Sequence, residues 1–115
     1  MRHAWLFVLL MPLLTVVLTG CGPSCQSTCE KLYQADECNT ERPGRTTDEL
    51  LQACNNSCED ALTQPGEIDN FNPYSNEGSS SSITLDNEQQ AALWMDCIAE
   101  QACDKIADGY CSPVW

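Results

Sequence analysis

The chain has 115 residues, with seventeen Asp and Glu against five Lys and Arg, and a formal net charge of −12. This charge disfavours binding to nucleic acid and to anionic lipid headgroups, because both would repel it. The single histidine, His3, lies in an apolar N-terminal segment, so the remaining chain has no imidazole for catalysis or for a mixed Cys/His zinc site. We therefore expect a protein that is not an enzyme and that uses no cofactor and no metal.

The N-terminal segment predicts export. Residues 5–18 follow Arg2 and carry no charge, and this run is too short to span a bilayer as a helix but fits a signal peptide over 1–20. The segment ends in Leu18-Thr19-Gly20-Cys21, which resembles the lipobox of bacterial lipoproteins. The resemblance implies cleavage before Cys21, acylation of its thiol and, with Gly22 following, attachment to the outer membrane of the cell envelope. An ordinary secretory signal is the alternative, and it would leave an odd number of cysteines in the mature chain.

Residues 21–115 are expected to form one small domain. A chain of this size buries a modest apolar core, so cross-links must supply much of its stability. With Cys21 acylated, eight of the nine cysteines remain, which is enough for four disulfides. Each disulfide typically contributes about 2–4 kcal/mol by constraining the unfolded chain.

Three helices are predicted, and no stretch shows the alternation typical of strands. Ser24 is the expected cap of a first helix over 25–37, and Thr46 with Glu49 forms a capping box that begins a second helix over 47–63. Asp86 is the expected cap of a third, amphipathic helix over 87–107, with Gly109 just beyond its end. The predicted fold class is all-α, with a hairpin over 21–63 and a third helix with its tail over 86–115.

Residues 64–85 differ from the rest of the chain in composition. They are rich in Asn, Gly and Pro, include four successive serines from Ser79, and show no periodicity. This composition predicts a flexible linker. Phe71 and Tyr74 are its candidate contacts for a protein partner, and the alternative is that they dock on the helices and shorten its free length.

The cysteines of the first two helices lie four residues apart, at Cys25 and Cys29 and again at Cys54 and Cys58. Residues at this spacing share one helix face, with Cβ atoms too far apart for a disulfide within the pair. Facing antiparallel helices would instead pair Cys25 with Cys58 and Cys29 with Cys54. The arrangement resembles the twin C-x₃-C hairpin of small mitochondrial intermembrane-space chaperones and related coiled-coil–helix proteins. The resemblance covers this hairpin alone, and a lipobox contradicts their mitochondrial setting, so it implies a helical staple and no chaperone activity.

Four cysteines remain, Cys38, Cys97, Cys103 and Cys111, and they allow three pairings. If the third helix is continuous, a chain that returns from its end reaches Cys103 more easily than Cys97. The preferred pairs are therefore Cys103–Cys111 and Cys38–Cys97.

Three functions fit these observations. The first is a cell-envelope lipoprotein that is held to the membrane by its lipid and acts as a structural or protein-interaction module, with an unknown protein partner. The second is Cu(I) binding by thiolates at the i, i+4 positions, which requires reduced cysteines in an oxidising compartment. The third is inhibition of an extracellular enzyme through the loop 64–85.

Overall fold

The computed structural model describes residues 22–76 and 83–115. These residues form four helices, α1 (Cys25–Tyr33), α2 (Thr47–Leu62), α3 (Glu88–Glu100) and α4 (Cys103–Ala107). The described parts of the chain contain no β-strand, and an isolated antiparallel bridge joins Arg42 to Arg45. The predicted all-α class is confirmed.

Helix α1 begins at its expected cap and ends earlier than predicted. The Ser24 hydroxyl accepts from the Ser27 main-chain N–H at 3.1 Å, and the Ser27 hydroxyl accepts in return from the Ser24 N–H at 2.9 Å. The helix ends at Tyr33 instead of continuing to residue 37, because the chain folds back over its last turn. There the N–H of Cys38 donates to the Lys31 carbonyl at 2.9 Å, and this bond replaces a further helical turn.

Helix α2 lies antiparallel to α1 and is joined to it by two disulfides. The Thr46 hydroxyl accepts from the Glu49 N–H at 3.2 Å, as the capping motif predicts, and the helix ends one residue before the predicted position. The structure pairs Cys25 with Cys58 and Cys29 with Cys54, at Cα–Cα distances of 5.7 and 5.8 Å. The two disulfide pairs predicted for the hairpin therefore agree with the structure.

The prediction of one continuous helix over 87–107 is wrong. The backbone adopts an extended conformation at Gln101 and Ala102, and this separates α3 from α4. The Lys31 ammonium donates to the carbonyls of Ile98, Ala99 and Gln101, so it satisfies acceptors that further helix would otherwise have used. A cation is also favourable at this position, because the C-terminal end of a helix carries partial negative charge.

The start of α3 also differs from the prediction by one residue. Asn87, and not Asp86, is the N-cap, and its Oδ1 accepts from the N–H groups of Gln89 and Gln90 at 3.1 Å each. Its Nδ2 donates to the Glu67 carbonyl at 2.8 Å. A carboxylate has no proton to donate to that carbonyl, so the amide satisfies both partners where Asp could satisfy one. The expected residue beyond the last helix, Gly109, follows the cap Asp108 with a positive φ of 111°.

The predicted pairs Cys38–Cys97 and Cys103–Cys111 are wrong. The structure pairs Cys38 with Cys103 and Cys97 with Cys111, at Cα–Cα distances of 5.2 and 5.6 Å. The predicted pairs rested on how far the returning chain can reach along a straight third helix. Because the helix breaks at Gln101, Cys103 leaves the axis of α3 and meets Cys38, while Cys97 remains available to the returning chain.

The core lies between α1, α2 and α3. Its largest side chain is Trp94, whose indole Nε1–H donates to the main-chain oxygens of Cys111 at 3.1 Å and Pro113 at 2.9 Å. The Trp115 ring packs edge-on against it, with the ring centroids 5.5 Å apart. Around Trp94 lie other fully buried residues: Tyr33, Leu32, Leu50, Ile98 and the half-cystines Cys29, Cys54, Cys58, Cys97 and Cys111.

Tyr33 makes stability depend on pH in the alkaline range. Its hydroxyl donates to the main-chain oxygen of Trp115 at 2.8 Å, and burial raises the pKa of Tyr33 to about 12. The folded state thus favours the neutral phenol. Its contribution is complete below the unfolded pKa of about 10 and is lost as the pH rises through about 12, a decrease of about 3 kcal/mol in the free energy of unfolding. Urea unfolding measured across this range checks it, and Tyr33→Phe should remove this part of the decrease.

Candidate interaction surface

The segment 64–76, the first part of the predicted linker, is attached to α3. The Glu88 N–H donates to the Gln64 carbonyl at 2.9 Å, and the Gln90 side-chain amide donates to the Ile68 carbonyl at 3.4 Å. Further along, the Cys111 N–H donates to the carbonyl of buried Pro73 at 2.7 Å. These bonds hold 64–76 against the helix, so it is not the free linker that its composition predicts. The serine run falls within 77–82, outside the described residues.

Gly66 permits the closest of these approaches. A Cβ atom at this position would lie 2.7 Å from the Cβ, Cγ and Nδ2 atoms of Asn87. Such a distance is far below van der Waals contact, and Asn87 is held by its capping bonds. The glycine therefore allows the segment to pack directly on the start of α3.

The two predicted partner contacts have different environments. Phe71 is half-buried and packs against the core cluster, so much of its ring already has intramolecular contacts. Tyr74 is 38% exposed, and its hydroxyl donates to the Glu100 carboxylate at 2.9 Å. Burial, the hydrogen bond to Glu100 and the charge of Asp96 raise the pKa of Tyr74. Tyr74 is thus the better candidate for a contact outside the chain.

Two further apolar side chains were not predicted from the sequence. Among the described residues, the large hydrophobic side chains that are most exposed are Leu62 at 41%, Ile68 at 36% and Tyr74. All three lie at the end of α2 or in the segment that follows it. A signal was present for Ile68, because it stands in a polar stretch outside the predicted helices, where no helical periodicity requires it. Leu62 carried no such signal, because it lies four residues after Cys58 on the predicted second helix.

The surroundings of these side chains are acidic. The chain has no Lys, Arg or His from residue 46 to residue 104, a stretch that covers α2, the following loop and α3. We call Leu62, Ile68 and Tyr74, together with the neighbouring carboxylates of Glu67, Asp96 and Glu100, the acidic–apolar face. Its apolar members are candidate anchors, and its carboxylates set the sign of the local potential.

Several concavities lie at the surface of the described residues. A shallow one of about 320 Å³ is lined by Asn70, Phe71, Thr84 and Asp86, among others, and by Gln90, whose side-chain amide donates to the Ile68 carbonyl. A larger groove of about 680 Å³ lies beside the C-terminal tail, between Arg42, Ile106 and Trp115. Within 22–76 and 83–115, no cluster of His, Cys, Asp or Glu has the arrangement of a metal site. In the same ranges, no helix is both long and apolar enough to cross a bilayer.

The cysteines of the described residues are all paired. Four disulfides include every cysteine from Cys25 to Cys111. Cys21, with the sequence that resembles a lipobox and the signal peptide predicted over 1–20, lies outside the described residues. The four disulfides of the described residues use eight of the nine cysteines in the sequence.

No family model, curated protein sequence or solved structure matches this chain. Its function must therefore be argued from its own residues.

Proposed function

We propose that the protein is a lipid-anchored, disulfide-rich lipoprotein of the cell envelope that acts as a structural or protein-interaction module without catalytic activity. The observation that carries this proposal is the pairing of eight cysteines among themselves, which leaves Cys21 as the single remainder. A free thiol is unusual in an exported, disulfide-rich domain. A thioether to lipid at Cys21 accounts for the remainder, and the lipobox sequence supports the same modification.

The composition of the folded part is consistent with this location. Disulfides form and persist in oxidising compartments outside the cytoplasm. After residue 21, seventeen acidic residues face four Lys and Arg, which leaves a charge of −13 and repels anionic headgroups. The domain would thus be held near the membrane by its lipid while its surface remains in solvent. Gly22 after the acylated cysteine favours the outer membrane, by resemblance to other lipoproteins.

The disulfides favour this proposal over Cu(I) binding. A Cu(I) site needs free thiolates, and the i, i+4 cysteines of α1 and α2 are bonded to each other across the hairpin. Inhibition of an enzyme by an extended loop is also less favoured, because 64–76 is bound to α3 along its length. An interaction through a surface of the folded unit requires neither free thiols nor a mobile loop.

The test is the intact mass of the chain after expression in an export-competent bacterium, measured before and after alkylation without reductant. We expect a polypeptide that begins at Cys21, carries a diacylglyceryl group, takes up no alkylating reagent and fractionates with membranes. The matched variant Cys21→Ser should lose the lipid and leave the membrane fraction while it keeps four disulfides. A chain that starts elsewhere, without lipid, contradicts the anchoring. Eight alkylated thiols contradict the disulfide scaffold and favour metal binding.

A further inference from the structure

We propose that the acidic–apolar face binds a basic amphipathic segment of a partner protein. This inference deepens the proposed function, because it rests on the interaction-module role and specifies the chemistry of the partner. It does not depend on whether Cys21 carries a lipid.

The segment 64–76 follows α3 from its first turn to its last. The segment 64–76 contacts the first turn of α3 through Gln64 and Glu88, and its far end contacts the last turn through Tyr74 and Glu100. Residues 88–100 extend about 18 Å at 1.5 Å per residue. The exposed side chains of the segment therefore lie beside the exposed side of α3 over that length. A partner helix of about twelve residues would match it.

The apolar members fit the role of anchors. Binding energy at protein interfaces concentrates in a few apolar or aromatic side chains within a polar rim. Leu62, Ile68 and Tyr74 are exposed, whereas the other large hydrophobic side chains of the described residues are buried or half-buried. The neighbouring concavity, with Phe71 at its wall and Asp86 at its edge, has room for one apolar side chain of a partner.

The carboxylates of the acidic–apolar face favour a basic partner. A basic segment is attracted by Glu67, Asp96 and Glu100, and residues 46–104 contain no cation that opposes it. Lys31 lies at the end of α3, where the carbonyls of Ile98, Ala99 and Gln101 bind its ammonium. A second copy of the chain would bring the same acidic surface and be repelled, and so would an anionic membrane. Residues 77–82 of this chain are Glu, Gly and four Ser, so they offer no apolar side chain and no cation to cover the face.

The test uses the whole chain as recovered from the expressing bacterium, in non-ionic detergent. The probe is a synthetic Lys/Leu peptide of about twelve residues with helical amphipathic spacing, and the comparison peptides are a scrambled sequence and a Glu/Leu counterpart. We expect the amphipathic basic peptide alone to bind with a defined stoichiometry. We also expect its affinity to fall at least about tenfold between low and high salt, because exposed charges are screened.

Two sets of variants locate the binding. Replacing Leu62, Ile68 and Tyr74 together by Ser should weaken binding by about tenfold or more, because these exposed side chains anchor the peptide. Replacing Asp96 and Glu100 by Lys should do the same. The matched control replaces Asp36 and Glu37, exposed residues in the turn after α1, by Lys, which changes net charge equally and should leave most of the affinity. Circular dichroism of each variant verifies that the fold is kept.

The outcomes separate this inference from the proposed function. Equal weakening by the two charge variants would mean that net charge alone attracts the peptide, and it would overturn the assignment to this face. Binding of the scrambled peptide as tightly as the amphipathic one would overturn it too. Mass spectrometry of the same preparation shows whether the protein carries the lipid. A lipidated protein that does not bind the peptide contradicts binding at the acidic–apolar face and supports the lipid anchor. An unlipidated protein that binds the peptide specifically supports the face and contradicts the anchor.

Discussion

Mild reduction of the native protein is expected to open the Cys38–Cys103 disulfide first. Cys103 is exposed and Cys38 is half-buried, whereas the other six half-cystines are buried in the core. Thiol–disulfide exchange requires access of the attacking thiolate to a sulfur atom, so burial protects the other three bonds. Limited reduction followed by alkylation and peptide mass analysis should label Cys38 and Cys103 before any other pair. Early labelling of Cys29 and Cys54 would contradict the prediction.

Loss of this disulfide should also have a large effect on stability. Of the four disulfides in the described residues, only Cys38–Cys103 joins the α1–α2 hairpin to the α3–α4 part of the domain. It closes a sequence separation of 65 residues, for which the chain-entropy relation gives about 4 kcal/mol. The double variant Cys38→Ala/Cys103→Ala should lower the free energy of unfolding by about that amount in urea titrations.

A matched control is the double variant Cys25→Ala/Cys58→Ala. The adjacent Cys29–Cys54 bond keeps the hairpin closed, so the loop-closure loss is smaller, although burial of both side chains adds a packing cost. Hydrogen exchange distinguishes the two variants. We expect the first to raise exchange in α4 relative to the hairpin, and the second to raise it at the start of α1 and the end of α2. Equal exchange in both would contradict the role of Cys38–Cys103 as the link between the two parts.

The parts of the fold that could be predicted depend on local residues. The caps Ser24 and Thr46 act within three residues of their partners, and the i, i+4 cysteines of α1 and α2 follow from helix periodicity. These features can be predicted without knowing which residues distant in sequence lie nearby. The two disulfides of the hairpin could be predicted for the same reason, because a single connection joins two helices with matching cysteine spacing.

The break in the third helix could not be predicted, because its cause is remote in sequence. Lys31, on α1, donates to carbonyls 67 to 70 residues further along the chain. Nothing in the local sequence Gln101-Ala102 marks a helix end, since neither residue is Gly or Pro. The wrong disulfide pairs follow from this single error, because the predicted reach assumed a straight helix through Cys103.

The main-chain attachment of 64–76 could not be predicted for a different reason, and only docking through Phe71 and Tyr74 was an open alternative. Its bonds to α3 and to the tail use main-chain carbonyls of Gln64, Glu67, Ile68 and Pro73, and every residue type provides such an acceptor. Composition therefore indicates a linker whether or not these carbonyls have partners. Tyr74 was a predicted partner contact, whereas Leu62 and Ile68 were not, because their exposure beside α3 is evident only once the segment is known to lie along that helix.

Replacement of Trp94 is expected to have the other large effect on stability. The buried indole fills the centre of the core and donates to two main-chain oxygens of the tail, at Cys111 and Pro113. Trp94→Ala should cost about 3–5 kcal/mol, because it leaves a cavity and removes both hydrogen bonds. Trp94→Phe keeps an aromatic ring but leaves two buried carbonyls with no donor, for which we expect about 1–3 kcal/mol.

Trp115→Phe is the matched control for the indole. The Trp115 ring is half-buried and packs edge-on against Trp94, and its own indole nitrogen donates no hydrogen bond within the described residues. A phenyl ring at this position can therefore keep most of the contact. Urea unfolding followed by far-ultraviolet circular dichroism should rank the losses as Trp94→Ala above Trp94→Phe above Trp115→Phe. If Trp94→Phe costs no more than Trp115→Phe, the two hydrogen bonds to the tail contribute little, and shape alone holds the tail on α3. If it costs more and releases the amides of Cys111, Ser112 and Val114 to exchange, the indole fixes the tail, through its N–H bonds together with the volume that a phenyl ring leaves unfilled.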